Sequence, residues 1–270
     1  SFQGVVRRFP NSVVALDLYR DLLGRSGLGG GRRLVAAYQR SRDTAVSSPV
    51  PRKSRCFVVA NGPSVAEMPL HRLEGEDIFC VNRGTKACEF GLPHPRFLAV
   101  SDAAVYRDYG DEIDREEVER FFLNASCLWA RPGNFAPHVS VFGSTQLYLS
   151  MGRLIPTANL LHLGSSVVLS VCQLAHFMGY REIYLIGVDL SYSGPTTHFY
   201  GGGSKESRRL ASFREGENGA TWVNLGFQNL SEVLSPSGTR MFNAGYGGNL
   251  SALPRVDFEA LTRRATAPAL

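Results

Sequence analysis

The chain has 270 residues, of which 44% are hydrophobic and 20% charged, a balance typical of a globular protein with one large domain, or one domain and an extension. No apolar run reaches about 18 residues, so we expect no transmembrane helix, and charges interrupt the early apolar stretches, which argues against a secretory signal. The five cysteines lie far apart without a CxxC pair, so we expect neither a zinc site nor disulfides but reduced thiols in a cytoplasmic protein.

The net charge of +5 is unevenly distributed along the chain. Residues 1–55 carry eleven lysines and arginines against three aspartates, while the remainder is net acidic. Within this basic part, the apolar spacing predicts a helix after Asn11-Ser12, a break at 27–31 and a second, basic helix over 32–40. We therefore divide the chain into a basic helical extension with a linker, residues 1–50, and a main domain, residues 51–270.

Two interpretations of the extension remain open. Its helices could pack on the main domain with their basic face in water, or they could bind an anionic lipid surface or an acidic glycan. The second interpretation would bring a cytoplasmic protein to the inner surface of the membrane. Nucleic acid is not expected as a partner, because no known nucleic-acid motif accompanies the charge. The sequence also leaves open whether the chain forms a homo-oligomer.

From residue 55 onwards, short strands alternate with helices. The predicted strands cover 56–60, 77–82, 96–101, 126–130, 182–188 and 239–243, and the predicted helices cover 64–73, 112–123, 166–178 and 257–264. Short runs rich in Val, Ile and Phe between helices predict a mostly parallel sheet with helices on both faces. The expected fold class is therefore α/β and Rossmann-like, with an N-terminal helical extension.

The first predicted strand ends in a turn, Asn61-Gly62-Pro63-Ser64, whose residue types suit a phosphate. Gly62 lets the backbone approach a ligand, Pro63 fits the first turn of a helix, and Ser64 offers a hydroxyl near the positive end of the predicted helix. An ordinary strand-to-helix turn has a similar composition, so the turn alone leaves both interpretations open. If the turn binds a nucleotide, Gly62→Val should abolish that binding while the fold survives.

Polar residues also follow the next two predicted strands, where ligands of such sheets bind. Asn82 and Arg83 follow the second strand, and Ser101 and Asp102 follow the third. The carboxyl ends of parallel strands meet at one edge of the sheet, so these residues predict a shared cleft.

A second group of candidates lies further along the chain. Ser165 and Ser166 open a predicted helix, and the strongly apolar strand after it runs into Asp189. The loop 193–209 follows, with His198, a run of three glycines and three basic residues. Loops of this length are typical of lids and binding loops, although a disordered insertion would have a similar composition.

Three segments resemble a known group of proteins: CFVVANGPSV, CVNRG and GSSVVLSVCQLAHFMGYREIYLIGVDLSY. They resemble the bacterial sialyltransferases of the Campylobacter type. They resemble equally the broader MptE-like (DUF115) group, which includes flagellin-modifying motility-associated factors and an archaeal hydroxymethylpterin pyrophosphokinase. The C-terminal segment MFNAGYGGNLSALPRVDFEAL is similar to the ending of many members of that broader group. The resemblance covers roughly residues 55–262.

The sialyltransferase resemblance implies a Rossmann-like fold that binds a CMP-sugar. The positions that it assigns to the donor are Asn61, Gly62, Pro63, Ser64, Asn82, Ser165 and Ser166. Tyrosines after the long apolar strand stabilise the leaving phosphate in that family, and Tyr192 and Tyr200 are the candidates here. This chain departs from the family at Ser101-Asp102, where the family has an asparagine, and it has no histidine after His198.

Three hypotheses for the function follow. The first is an inverting glycosyltransferase without a cofactor, which moves a sugar from a nucleotide-activated donor to a glycan, glycolipid or protein, with His198 as general base. The second is a pyrophosphokinase that uses ATP and Mg²⁺, with the metal held by Asp102 or Asp189. The third is a non-catalytic module that binds a nucleotide or a glycan. The catalytic candidates are thus His198, Asp189 and Asp102.

Overall fold

The computed structural model of the protein describes residues 51–131, 136–145, 160–162, 166–191, 197–201 and 219–263. The predictions for residues 1–50, Ser165, Tyr192 and most of the loop 193–209 lie outside these ranges and remain predictions. So does the proposed division of the chain at residue 50.

A single parallel sheet forms the centre of the described part of the chain. Its strands are β1 (Arg55–Val59), β2 (Asp77–Val81), β3 (Phe97–Val100), β4 (Arg120–Asn124), β5 (Val139–Thr145), β6 (Leu160–His162), β7 (Glu182–Ile186) and β8 (Arg240–Asn243). They lie in the order β6-β5-β4-β3-β2-β1-β7-β8, and every neighbouring pair is parallel. The α-helices are α1 (Ala103–Ile113), α2 (Ala125–Ala130), α3 (Val167–Phe177), α4 (Gly219–Leu234) and α5 (Phe258–Thr262).

The sheet is covered on both faces, because alternate residues of a strand point to opposite sides. In β1, Cys56 and Val58 belong to the hydrophobic cluster that contains α3 and α4. Phe57 and Val59 belong to the cluster on the other face, which contains residues of α1, α2 and α5. The expectation of an α/β, Rossmann-like sheet with helices on both faces is therefore confirmed.

The prediction was wrong between residues 102 and 130. The stretch 112–123, predicted to be a helix, instead contains the end of α1 and most of β4. The helix begins earlier, where the Asp102 side chain accepts hydrogen bonds from the backbone N–H groups of Ala104 and Val105. The predicted strand 126–130 is helix α2, since the Asn124 side chain accepts from the N–H of Ser126 and caps it.

The predicted helix 64–73 is also different. It consists of two short 3₁₀ segments, Pro63–Glu67 and Leu70–Leu73. Met68 lies between them in an extended conformation, as expected for a residue that precedes a proline. No α-helix, and so no long helix dipole, follows the turn after β1. Strands β5 and β6 and helix α4 were not predicted from the sequence.

The core contains four of the five cysteines, as their apolar surroundings in the sequence suggest. Cys56, Cys80, Cys127 and Cys172 are buried with free thiols, and burial raises the pKa of each thiol. Within the residues that the structure describes, no helix combines the length and apolar character that crossing a membrane requires.

Candidate functional site

A cleft of about 380 Å³ opens beside the carboxyl ends of the central strands. The chain continues from β1 to β2 on one side, while β7 lies on the other side of β1, so the strand order reverses between β1 and β7. Such a switch point is where open α/β sheets bind ligands. The cleft is lined by Ala60, Asn61, Gly62, Pro63, Val81, Asn82, Ser101, Asp102, Ser166, Val167, Val168, Gly187, Val188, Asp189, Leu190, Ser191, Thr197 and His198.

Ser64 and Asp189 join the turn after β1 to the end of β7. The backbone N–H of Ser64 donates to Oδ2 of Asp189 at 2.8 Å, and its hydroxyl donates to Oδ1 at 2.6 Å. Both residues are buried. The two donors of Ser64 that we expected to face a phosphate are thus engaged with Asp189, and Ser64 is not among the residues that line the cleft. Asp189 lines it, but both of its carboxylate oxygens accept hydrogen bonds from Ser64.

Glycines make this contact sterically possible. A Cβ atom on Gly62 would lie 2.5 Å from Cγ of Asp189 and 2.5 Å from the carbonyl oxygen of Gly187. Gly187 and Gly248 have φ angles of +69° and +86°, and a Cβ on Gly248 would overlap the backbone of Asp189. Gly62 is therefore required by packing inside the protein. This corrects the expectation that a Gly62→Val variant would keep its fold and lose only nucleotide affinity.

Two asparagines that line the cleft have side-chain oxygens without hydrogen-bond partners in the described part of the chain. Oδ1 of Asn61 and Oδ1 of Asn82 are buried, and neither has a hydrogen-bond partner among the described residues. Asn82 also has a φ of +52°, a left-handed conformation that asparagine tolerates better than most residues. An unsatisfied buried polar group typically costs about 1–3 kcal/mol. Both residues line the cleft, so their side chains are candidates for contacts with a ligand.

The N-terminus of α3 supplies the positive end of a helix to this cleft. Ser166 caps the helix, since its hydroxyl accepts from the N–H of Val168 at 3.3 Å, and Ser166, Val167 and Val168 all line the cleft. The helix spans 11 residues, enough for its dipole to favour an anion at this end. The helix dipole that we expected to begin at Ser64 is thus supplied by α3, which begins after Ser166.

Asp102 lies at the cleft with an exposed side chain whose Oδ1 caps α1. Of the two aspartates proposed as metal ligands, it is the more accessible, because Asp189 is buried and bound to Ser64. Among the residues described, no group of three or more His, Cys, Asp or Glu side chains is arranged to hold a metal ion. A magnesium ion here would therefore depend mainly on ligands from substrate phosphates.

His198 lines the cleft from the segment 197–201. The N–H of Phe199 donates to the carbonyl oxygen of Asn61 at 3.1 Å, which ties this segment to the turn after β1. Nδ1 of His198 lies 3.1 Å from the hydroxyl of Thr197, and the imidazole stacks on the ring of Tyr200 with a centroid distance of 5.1 Å.

Arg83 and Tyr200, which we expected to contact the donor, do not line the cleft. The Arg83 guanidinium packs on the rings of Tyr109 and Tyr200 and forms an ion pair with Glu112. The sequence analysis did not identify Tyr109 as a neighbour of Arg83, because it predicted α1 in the wrong place. Thr197 was also missed, and its position next to His198 is the signal that could have identified it.

No family model matches the chain, and no curated protein matches it. Among solved structures, it is similar to the sialyltransferase CST-II in complex with trisaccharide acceptor and CMP, at 14% identity and a TM-score of 0.44, over 75% of this chain and 85% of that one. A point variant of CST-II in complex with CMP is 15% identical, with a TM-score of 0.46, over 74% of this chain and 85% of that one. Similarity of this degree concerns the general fold alone.

The packing around Gly62 predicts a loss of stability when a side chain is added. Gly62→Ala should lower the free energy of unfolding by about 1–3 kcal/mol, the usual cost of forcing an extra carbon into a packed site. Gly247→Ala is the matched control, because its Cβ would lie 4.0 Å from Cβ of Ser64. Urea denaturation of the ligand-free protein measures both variants. Wild-type stability of Gly62→Ala would contradict the geometry.

Proposed function

We propose that the protein is a glycosyltransferase that moves a sugar, of the sialic-acid-like nonulosonic class, from a CMP- or other nucleotide-activated donor to a hydroxyl of a glycan, glycolipid or protein. The observation that carries the proposal is a cleft at the switch point of the sheet that combines unpartnered amide oxygens, a helix N-terminus and a histidine. The choice of a CMP-sugar as donor rests on the resemblance of the NGPS turn and the GYREIYLIGVDL segment to bacterial sialyltransferases.

The polar groups of the cleft suit the two parts of a nucleotide. The side-chain amides of Asn61 and Asn82, which line the cleft, would hydrogen-bond to the nucleoside. The N-terminus of α3 and Ser166 would face the phosphate. Lysine and arginine are absent from the lining in the described part of the chain. Lys205, Arg208 and Arg209 lie outside the described ranges, and the expectation from the sequence that they approach the phosphate stays a prediction.

His198 would act as the general base in this reaction. The acceptor hydroxyl oxygen attacks the anomeric carbon, the bond from that carbon to the phosphate oxygen breaks, and CMP leaves with the bonding electrons. The hydroxyl proton passes to the imidazole. Because the acceptor displaces CMP directly, from the opposite face of the anomeric carbon, the sugar is transferred with inversion. Histidine is the side chain most often used as a base near neutral pH, and a positioned base typically contributes about 10²–10⁴-fold.

The pyrophosphokinase hypothesis keeps one observation in its favour, the exposed carboxylate of Asp102 at the cleft. A carboxylate and substrate phosphates together are a usual environment for Mg²⁺. The two hypotheses differ in the nucleotide and in the need for metal, so binding measurements can separate them.

Thermal unfolding with CMP, UDP and ATP, each with and without Mg²⁺, gives this separation. We expect CMP to stabilise the protein without metal, because a ligand at 100 times its Kd adds about 2.7 kcal/mol to the free energy of unfolding. Stabilisation by ATP that requires Mg²⁺ would favour the pyrophosphokinase instead. Absence of any response to the three nucleotides would favour a glycan-binding module.

The role of His198 predicts a selective loss of catalysis. His198→Ala should lower kcat by about 10²–10⁴-fold with CMP affinity nearly unchanged, because a general base acts mainly in the transition state. The assay is the release of CMP from CMP-N-acetylneuraminate in the presence of lactose, with CMP affinity measured by calorimetry. The control is His71→Ala, since His71 is exposed and does not line the cleft. A near-normal kcat in His198→Ala would rule out this base.

A further inference from the structure

The imidazole of His198 belongs to a cluster of stacked side chains. Its ring is nearly parallel to that of Tyr200, with an interplanar angle of 13° and a centroid distance of 5.1 Å. Cζ of Arg83 lies 4.9 Å from the centroid of Tyr200 and 3.9 Å from that of Tyr109. Four side chains are therefore in successive contact: His198, Tyr200, Arg83 and Tyr109.

Arg83 is fixed to the scaffold at the other end of this stack. Its Nε and one terminal nitrogen donate to the two carboxylate oxygens of Glu112, at 3.3 and 3.2 Å, and its side chain is 12% exposed. Lys86 lies 3.4 Å from the same carboxylate. Burial alone would raise the pKa of Glu112, but Arg83 and Lys86 hold it below its ordinary value, so the carboxylate is ionised near neutral pH.

The stack joins two rigid elements to the segment that carries the proposed base. Arg83 follows β2, and Tyr109 and Glu112 belong to α1. Besides this stack, segment 197–201 is attached through the Phe199 N–H and through the Phe199 side chain, which packs edge-to-face on Phe90. These contacts hold the backbone of the segment, whereas Tyr200, like the hydroxyl of Thr197, contacts the imidazole itself.

We propose that Tyr200 and Arg83 are positioning residues, which hold the imidazole of His198 in a fixed plane at the cleft. The inference rests on the proposed function, since it assigns their effect to the base. It also gives Tyr200 a different role from a hydrogen-bond donor to the leaving phosphate, because Tyr200 does not line the cleft and its ring contacts the imidazole. A misplacement of about 1 Å in a catalytic group can lower a rate by about 10²-fold, so a stack that fixes one ring matters for kcat.

Substitutions at Tyr200 separate stacking from donation. Tyr200→Leu should lower kcat by up to about 10²-fold with CMP affinity unchanged, and Tyr200→Phe should restore most of that loss because it keeps the ring. In a His198→Ala background, Tyr200→Leu should have no further effect, since residues that act as a unit are not additive. The control is Tyr246→Leu, because Tyr246 is an exposed tyrosine outside the cleft.

Three kinetic outcomes would overturn the proposal. Tyr200→Phe could be as impaired as Tyr200→Leu, which would assign the effect to the phenolic hydroxyl. Tyr200→Leu could cost as much in the His198→Ala background as in the wild type, which would show an independent role. It could also weaken CMP binding and leave kcat unchanged. For Arg83, Arg83→Lys keeps the charge but not the planar stack, so a wild-type kcat in that variant would remove Arg83 from the proposal.

A spectroscopic measurement on the full chain tests the stack without any assay of transfer. The ring of Tyr200 should shift the NMR resonances of the His198 ring protons. These resonances are assigned as the ones that disappear in His198→Ala. Tyr200→Phe should keep this shift and Tyr200→Leu should abolish it. If the shift behaves so while His198→Ala is fully active, the proposed base is wrong and the stack stands. If Tyr200→Leu changes neither the shift nor kcat, the positioning role is wrong, whatever His198→Ala does.

Discussion

The buried carboxylate of Asp189 joins the two parts of the chain that form one wall of the cleft, the turn after β1 and the residues after β7. It accepts two hydrogen bonds from Ser64 in that turn, and the backbone carbonyl oxygen of Asp189 accepts one from the N–H of Asn249, in a third segment beyond β8. The three segments can approach one another because Gly62 and Gly248 have no side chains, which would overlap Asp189. Removal of one partner would leave a buried charged group without its donors, which costs about 1–3 kcal/mol or more. The Asn61–Ser64 turn therefore has its shape before any ligand arrives.

Because this wall is held in place by contacts within the protein, the remaining polar groups of the cleft are available to bind a ligand. Asn61 and Asn82 stand at the ends of β1 and β2 with unpartnered amide oxygens, and Ser166 stands at the start of α3. These groups belong to strand ends and a helix end, whereas His198 belongs to a segment tied to the wall through the carbonyl of Asn61. In the proposed reaction, binding is thus assigned to the sheet edge and proton transfer to the adjoining segment. Preorganisation of both reduces the reorganisation needed in the transition state.

The apolar pattern of the sequence predicted most of the central strands and the edge of the sheet at which the cleft lies. Apolar runs located β1, β2, β3, β7 and β8 within one or two residues, and the strand ends indicated the edge at which the cleft lies. The prediction was wrong between residues 102 and 130, because the helix starts there are set by the caps Asp102 and Asn124 and not by the apolar pattern. The pairing of Ser64 with Asp189 spans 125 positions, and no periodicity reports such a contact. For that reason the sequence suggested a catalytic or metal-binding role for Asp189, which stays a prediction, but not its pairing with Ser64 or the stack of Arg83 on Tyr200.

If the cleft beside the NGPS turn binds a nucleotide, hydrogen–deuterium exchange with and without CMP should detect it, since bound nucleotide should slow exchange of backbone amides that it covers or holds in place. We expect protection at 60–64, 81–83, 166–168 and 187–191 together, with no change in peptides at the amino edge of the sheet around 77 and 97. CMP binding that leaves these four regions unprotected, or protects only peptides elsewhere in the chain, would contradict this expectation.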